Sequence, residues 1–236
     1  MTLTSARPLL FLFSFCILPV CAFAQQDYVS RFDAYAGFAY FESPAINLPE
    51  RGFHLQVGYN WKPWLAMGFD YSHADGDFPL IANYLPTPLA TEVNTLFSRL
   101  EAAGLLPANY NASVYTTVQT ETFASGPSLV IRHFKHFAIL LHPSLGAVHE
   151  VATPHPADPI QQVLVAQLIP GKNTLDWQGF YGIGGGLDIG VTRHLGVRMQ
   201  TDVVWDHLFD DILRNGRWTI RASIGPSFHF GKNIAH

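Results

Sequence analysis

The sequence predicts an all-β chain, a single eight-stranded antiparallel up-and-down transmembrane β-barrel with short helices in two long outer loops. Three observations predict it. Hydropathy alternates with a period of two along most of the chain, short and long connections alternate between those segments, and the tryptophans gather near segment ends. Composition agrees: of 236 residues, 14% are charged, 48% hydrophobic and 14% aromatic, with a formal net charge of −4. So much apolar surface excludes a disordered chain. The lack of a basic excess excludes nucleic acid as an expected partner.

The N-terminus reads as a targeting segment. Arg7 supplies a positive start, and Pro8 to Val20 contains an apolar run from Leu9 to Leu18. Ala22-Phe23-Ala24 then forms the small-x-small pattern of a cleavage site. The reading is a signal peptide over 1–24, cut between Ala24 and Gln25, export through the Sec pathway, and a barrel domain over 25–236. The run is shorter than the ~20 residues a spanning helix needs, which argues against an N-terminal anchor. A lipoprotein site at Cys21 is disfavoured because Val20 stands where that signal wants a small residue. Both cysteines, Cys16 and Cys21, fall inside the leader, so the mature chain is expected to have no disulfide, no Cys-ligated metal and no Cys nucleophile. Beyond the leader no window reaches ~18 apolar residues. An exported chain of this kind must enter a membrane with strands.

The clearest strand runs from Leu195 to His207. Leu195, Val197, Met199, Val203 and Trp205 share one face, and Arg198, Gln200, Asp202 and Asp206 share the other. Arg217 to Phe230 repeats this, with Trp218, Ile220, Ile224 and Phe228 opposing Arg217, Thr219, Arg221 and Ser223. A one-residue slip would turn every charge to the wrong face, so register is strongly specified. Segments 53–61, 65–72, 137–150 and 181–189 alternate in the same manner. Two more, around Phe32–Phe41 and Thr116–Arg132, have ambiguous faces. About eight segments result, of the ~9–11 residues a tilted spanning strand requires or somewhat longer.

Three connections are short and basic: Lys62-Pro63, 133–136, and Arg193-His194. The intervening ones, Glu42–Arg51, His73–Tyr115, Val151–Asp176 and Leu208–Gly216, read as longer. Regular alternation is the signature of a meander with tight periplasmic turns and longer outer loops, whereas a Greek-key sandwich has no reason for it. Trp61 and Trp64 flank the first short turn, and Trp177, Trp205 and Trp218 sit beside long connections. An indole is apolar in body with one polar N–H, so the five are read as an aromatic girdle at the membrane interfaces. Within the long loops, Val93, Leu96, Phe97, Leu100 and Ala103 recur at helical spacing, with Thr91 as N-cap and Gly104 as stop. Ile160, Val163, Leu164 and Leu168 form a second stripe over Pro159–Pro170. Each stripe is expected to pack on the other helix or on the rim, with a docking surface for a partner or headgroup as the alternative.

The inward face so defined carries Asp70, Glu150, Asp188, Asp202 and Asp206 against Arg132, Arg198, Arg217 and Arg221, joined by His54, His142 and His229. Eight strands leave a bore only wide enough for side chains, and an unpaired charge there costs several kcal/mol. These groups are read as a plug of ion pairs. Gly182, Gly184, Gly186 and Gly190 leave one inward strip bare, either to admit long side chains from across the lumen or to leave a narrow solute path. His142, Ser144 and Glu150 share a face, which raises a lipid-hydrolase reading. Strand neighbours two apart stand ~6–7 Å apart, too far for a direct hydrogen bond unless rotamers lean together. No catalytic residue, metal site or cofactor is assigned; His133, His136 and His194 lack the carboxylate support of a metal site.

The aromatic-rich last strand Trp218–Phe230, and Gly182-Ile183-Gly184-Gly185-Gly186-Leu187-Asp188 followed by the basic turn Arg193-His194, resemble the small outer-membrane β-barrel domain family. That family includes the OmpA transmembrane domain and OmpX. The resemblance spans roughly 27 to 231 and transfers no catalytic residue. It implies residence in the outer membrane, outer-membrane lipids as neighbours, and the barrel-assembly machinery as a biogenesis partner that reads a terminal aromatic such as Phe230. The charge-paired interior and the long helical loops point to a structural or surface-interaction role, the glycine strip to a narrow porin-like channel for small or hydrophobic solutes as the alternative, and His142 with Ser144 to a hydrolase behind both. A monomer is expected, because a closed barrel leaves no strand edge that demands a neighbour, and no peptidoglycan-binding segment is read after the barrel.

Overall fold

A period of two places every second side chain on one face of a sheet. In the computed structural model of the chain eight such segments close on themselves. The structure describes residues 26–106, 110, 113–168, 174–209, 213 and 216–235. The leader 1–24 and the cleavage position at Ala24 and Gln25 lie outside the described residues. The strands are β1 (Ser30–Ser43), β2 (Leu48–Lys62), β3 (Leu65–Leu80), β4 (Val114–Ile131), β5 (Phe137–His155), β6 (Thr174–Gly190), β7 (Leu195–Asp206) and β8 (Arg217–Asn233). Each pairs antiparallel with its sequence neighbours, and β8 returns to β1 to close the barrel. Closure matters because hydrocarbon offers no hydrogen bonds, so a strand can enter it only with both edges paired.

The outer wall is apolar. Phe38, Val57, Met67, Leu141, Ile183 and Ile224 point out from six different strands, all exposed. Asp33, Gln56, Asp70, Ser144, Arg198 and Arg221 point inward and are buried. This reverses the arrangement of a water-soluble barrel. On β8 the outward row from Trp218 to Phe230 covers roughly 30 Å along the barrel axis, at ~3.3 Å per residue and ~40° tilt. That matches the hydrocarbon thickness of a bilayer, ~30 Å.

At the loop end the polarity inverts, and here the sequence-based loop boundaries need correction. The strands continue past the expected ends, with β1 and β2 meeting in a turn at 44–47 and β3 to β6 running on to Leu80, Val114, His155 and Thr174. The Glu42–Arg51 connection is therefore a tight hairpin and not a long loop. In these extensions Phe78, Val114, Val118, Val148 and Phe180 point inward and are buried, while Asp75, Asp77 and Gln119 are exposed. The alternation persists but its sign changes, as it must where the wall leaves lipid and enters water.

The helices are α1 (Thr87–Ala102) and α2 (Pro159–Leu168). Helix α1 starts a turn earlier than expected: Pro86 occupies the N-cap, and the Thr91 hydroxyl lies inside the helix, donating to Thr87 O (2.8 Å). Proline at this end costs nothing because those N–H groups have no helical acceptor. Gly104 does end the helix: at φ +68° it lets its own N–H reach Glu101 O and that of Leu105 reach Leu100 O. This is the Schellman pattern, which glycine enters without steric penalty. Helix α2 is capped by Asp158, whose Oδ1 accepts from the N–H groups of Ile160 and Gln161. Val93 of α1 and Val165 of α2 are buried in one cluster with Leu48, Phe78, Leu80, Phe180 and Leu208, whereas Leu96 and Ala103 of the expected first stripe and Val163 of the expected second stripe are exposed, so the helices bury narrower faces than the spacing predicts. The helices thus sit over an apolar barrel mouth as a lid.

Tyr110 donates to Asp158 Oδ2 (2.5 Å), tying the α1–β4 connection to the start of α2. Burial, aided by that bond, pushes the Tyr110 hydroxyl up to about 12, and the same bond holds the Asp158 carboxyl below its usual range. A raised tyrosine stabilises the fold fully below its ordinary pKa of ~10, and that contribution is lost as pH rises through about 12. The difference between the ultraviolet pH titrations of the wild type and Tyr110→Phe should show one late-ionising phenol, and Asp158→Asn should move it to lower pH. Extracted in detergent, the closed barrel should also migrate faster in a gel when unheated than after boiling; a single boiled-like band would contradict closure.

Candidate functional site in the barrel lumen

Inward residues of all eight strands meet in three tiers. At the turn end, Arg198 on β7 reaches across the bore. Its Nε and Nη2 bond Asp188 Oδ2 (2.8 and 2.6 Å), and Nη1 bonds Asp33 Oδ1 (2.8 Å) and Gln56 Oε1 (2.7 Å). Asp188 also accepts from Ser227 (2.9 Å) and faces His229 Nε2 (3.4 Å). Asp33 accepts from Asn60 Nδ2 (3.1 Å), and Asn60 Oδ1 accepts from Arg132 (3.1 Å). Gly58 makes room for this group: a Cβ there would press on the Asp33 carboxylate.

In the middle tier Arg221 on β8 bonds Asp202 Oδ2 (2.7 Å), Ser144 Oγ (3.0 Å) and Thr122 Oγ1 (3.0 Å), with its guanidinium 4.9 Å from the centre of the Phe180 ring. His142 Nε2 meets the other oxygen of Asp202 at 2.8 Å. Gly184 is the reason this pair can form, since a Cβ at that position would collide with Asp202 Oδ1 and His142 Nε2. The glycine strip therefore serves packing here. His54 bonds Ser223 Oγ (3.0 Å) and stands 3.7 Å from Asp70.

The loop-end tier gathers Glu50, Glu150, Asp206 and Arg217 around a space of about 20 Å³. Arg217 Nη2 lies 3.6 Å from Asp206 Oδ1, and Thr219 donates to Asp206 Oδ2 (2.8 Å). Among the described residues, Glu50 Oε1, Thr120 Oγ1 and Arg217 Nε and Nη1 find no hydrogen-bond partner. A space of this size holds one water, and a polar site with several unmet groups is where a buried water belongs.

Of the residues singled out from sequence, Asp70, Glu150, Asp188, Arg198, Asp202, Asp206, Arg217 and Arg221 are buried inside the wall. Arg132 lies apart from them in kind: just past the end of β4, it bonds the neutral oxygens of Pro63 (3.0 Å), Asn60 (3.1 Å) and Gln26 (3.4 Å). Sequence reasoning missed Asp33 and Glu50. Asp33 belongs to β1, whose aromatic residues Phe32, Tyr35, Phe38 and Phe41 fall on both faces. Glu50 lies in a segment read as loop. The available signal was the hairpin register itself, which pairs Phe41 with Glu50 and Asp33 with Gly58. Ser144 and His142 come from one strand but serve different partners, and among the described residues no hydrogen bond joins them. Among the described residues, no group of three His, Cys, Asp or Glu side chains could hold a metal ion.

The tryptophans lie at the ends of the apolar wall. Trp61 and Trp64 are exposed beside the β2–β3 turn, with Lys62 Nζ 5.5 Å from the centre of the Trp64 ring. Trp177 and Trp218 are exposed toward the loop end, Trp177 stacked on His149 (centroids 4.5 Å apart). Trp205 is half-buried, edge-on to Trp218 at 4.9 Å, with its N–H donated to His207 (3.0 Å).

Removing the Arg198 guanidinium would leave Asp33 and Asp188 as buried, uncompensated charges. Arg198→Ala should destabilise the barrel by about 3–5 kcal/mol, read as a lower urea midpoint for unfolding from lipid vesicles. Arg198→Lys, which keeps the charge but cannot span both carboxylates, should lose less. Equal midpoints for wild type and Arg198→Ala would show that the tier holds nothing together.

No protein-family model matches the chain, and no curated protein matches it in sequence. Solved structures similar to it include Ail, the attachment invasion locus protein of Yersinia pestis (9% identity, TM-score 0.45, covering 86% of this chain and 99% of that one). Neisserial surface protein A (12%, 0.47, 84% and 96%) and the outer membrane protein OprG from Pseudomonas aeruginosa (10%, 0.46, 88% and 99%) are similar to about the same degree. By its own closure, apolar outer wall and polar bore, the chain is a small antiparallel β-barrel of outer-membrane type.

Proposed function

We propose that this chain is a non-enzymatic outer-membrane barrel with a plugged lumen, acting as a structural or surface-interaction protein through its loop end. The filled bore carries the reading. Two arginines span it, Arg198 fixed by two carboxylates and Gln56, Arg221 by one carboxylate, Ser144 and Thr122, and among the described residues two internal spaces beside the tiers measure about 20 Å³ each. A space of that size takes a single water and is too small for a hydrated ion. Above the tiers the apolar lid of α1 and α2 covers the mouth. Function at the exposed end then falls to the loops, which a rigid barrel displays. The aromatic girdle and the luminal ion pairs supply anchoring and rigidity in this reading.

A second reading, passage of an apolar solute, has one observation in its favour. The β5–β6 ladder extends to Thr174, but the β6–β7 ladder stops at the pair Tyr181–Trp205. Beyond it the wall is bridged by the β7–β8 connection, where the Phe209 N–H donates to Asp176 Oδ2 (2.7 Å), with apolar Phe180 and Leu208 behind. Planar-bilayer recording and uptake of an apolar fluorophore into proteoliposomes separate the readings. The plugged barrel should give no steady openings and no uptake above empty liposomes. Discrete openings would overturn it, and uptake without openings would favour the seam.

A further inference from the structure

Below the Arg198 tier the bore widens into an open vestibule of about 500 Å³ at the short-turn end. Its wall is built from the entry to β1, the β4–β5 turn, the β6–β7 turn and the end of β8. The β4–β5 and β6–β7 turns are both basic, and the fold aims them at one space.

Three cations face it. Arg132 bonds three neutral oxygens through Nε, Nη1 and Nη2, one contact each. A guanidinium has five N–H groups, so two remain for a ligand. Lys135 and Arg193 are exposed on the two turns, and among the described residues neither has a hydrogen bond or ion pair. The acids lining the vestibule do not balance them. Asp33 and Asp188 share Arg198 and leave one negative charge that Arg132 offsets, so among the described lining groups Lys135 and Arg193 stand against the exposed Asp27 alone. Surplus positive charge in a concavity with low-dielectric walls focuses the field on whatever enters. The volume lies within the ~300–1,000 Å³ range of small-molecule sites.

We infer that this vestibule binds a small polyvalent oxyanion, bearing phosphate or carboxylate groups, between Arg132 on its floor and Lys135 and Arg193 on its rim. The tips of the two turns hold the exposed contacts, and Arg132, fixed by Pro63 and Asn60, supplies the preorganised one. The inference goes beyond the plugged-barrel reading and stands apart from it, because a conducting barrel would present the same cations.

The test is calorimetric titration of the full barrel, folded in a non-ionic maltoside detergent, with sodium pyrophosphate and separately with sodium citrate. At least one should bind saturably at one site, and the arm that binds tells phosphate from carboxylate recognition; binding of both assigns the site to oxyanions in general. The double variant Lys135→Gln/Arg193→Gln should weaken binding roughly tenfold or more, the size of one lost charge-assisted contact, while keeping heat-modifiable migration. Arg51→Gln, at the opposite end, should leave binding unchanged. The inference is overturned if neither anion binds saturably, if the double variant binds like the wild type, or if Arg51→Gln weakens binding as much.

Discussion

The return of β8 onto β1 is the constraint on which the rest of this molecule depends. A bilayer supplies no partner for an unpaired N–H or C=O, so the sheet must have no free edge at membrane depth. Once the ring closes with eight strands, its bore is set at a width that side chains fill. Every other second residue then has to suit lipid, and the rest have to suit one another. The exposed apolar wall and the buried polar interior are two consequences of one closure.

The interior meets that demand by spanning, with long arginines crossing the bore to carboxylates on distant strands. Arg198 joins Asp188 on β6 to Asp33 on β1, and Arg221 on β8 reaches Asp202 on β7 and Ser144 on β5. Charges taken out of water gain little net stability from pairing, yet leaving one unpaired is costly. Such a network is therefore better at selecting one register than at adding free energy. Any slip of a strand by one residue would send a charge into lipid and leave its partner alone. The small residues opposite the network, Gly58 and Gly184, give the charged groups their space.

Where the wall rises out of lipid, the same strands behave as a soluble protein. Inward positions become apolar, outward ones polar, and the two helices close the mouth over a continuous apolar cluster. This explains why β4 was ambiguous in sequence. Glu121 and Phe123 share its outer face, while Val118 and Thr122 share its inner one, because the strand passes through both environments. It explains equally why three of the outer connections, Glu42–Arg51, His73–Tyr115 and Val151–Asp176, read as too long, while Leu208–Gly216 does not. The strand period continues through them, but a reader who follows one sign of the alternation loses the strand at the water boundary. The shortest loop was hidden in the same way, and with it Glu50.

By itself the sequence determined the architecture: eight alternating segments, their order, the short turns at one end, a helix in each of the two long loops and the inward face of the strands with clean periodicity. Those are local properties, legible because side-chain direction repeats every two residues in a strand and every 3.6 in a helix. Only the tertiary structure decided which charge meets which. Arg198 chooses Asp33 and Arg132 chooses neutral oxygens because strand tilt and stagger set which inward residues share a level, and no spacing along the chain encodes that. For the same reason the basic turns appeared in sequence as separate short connections, and only ring closure brings Lys135 and Arg193 to the rim of one vestibule.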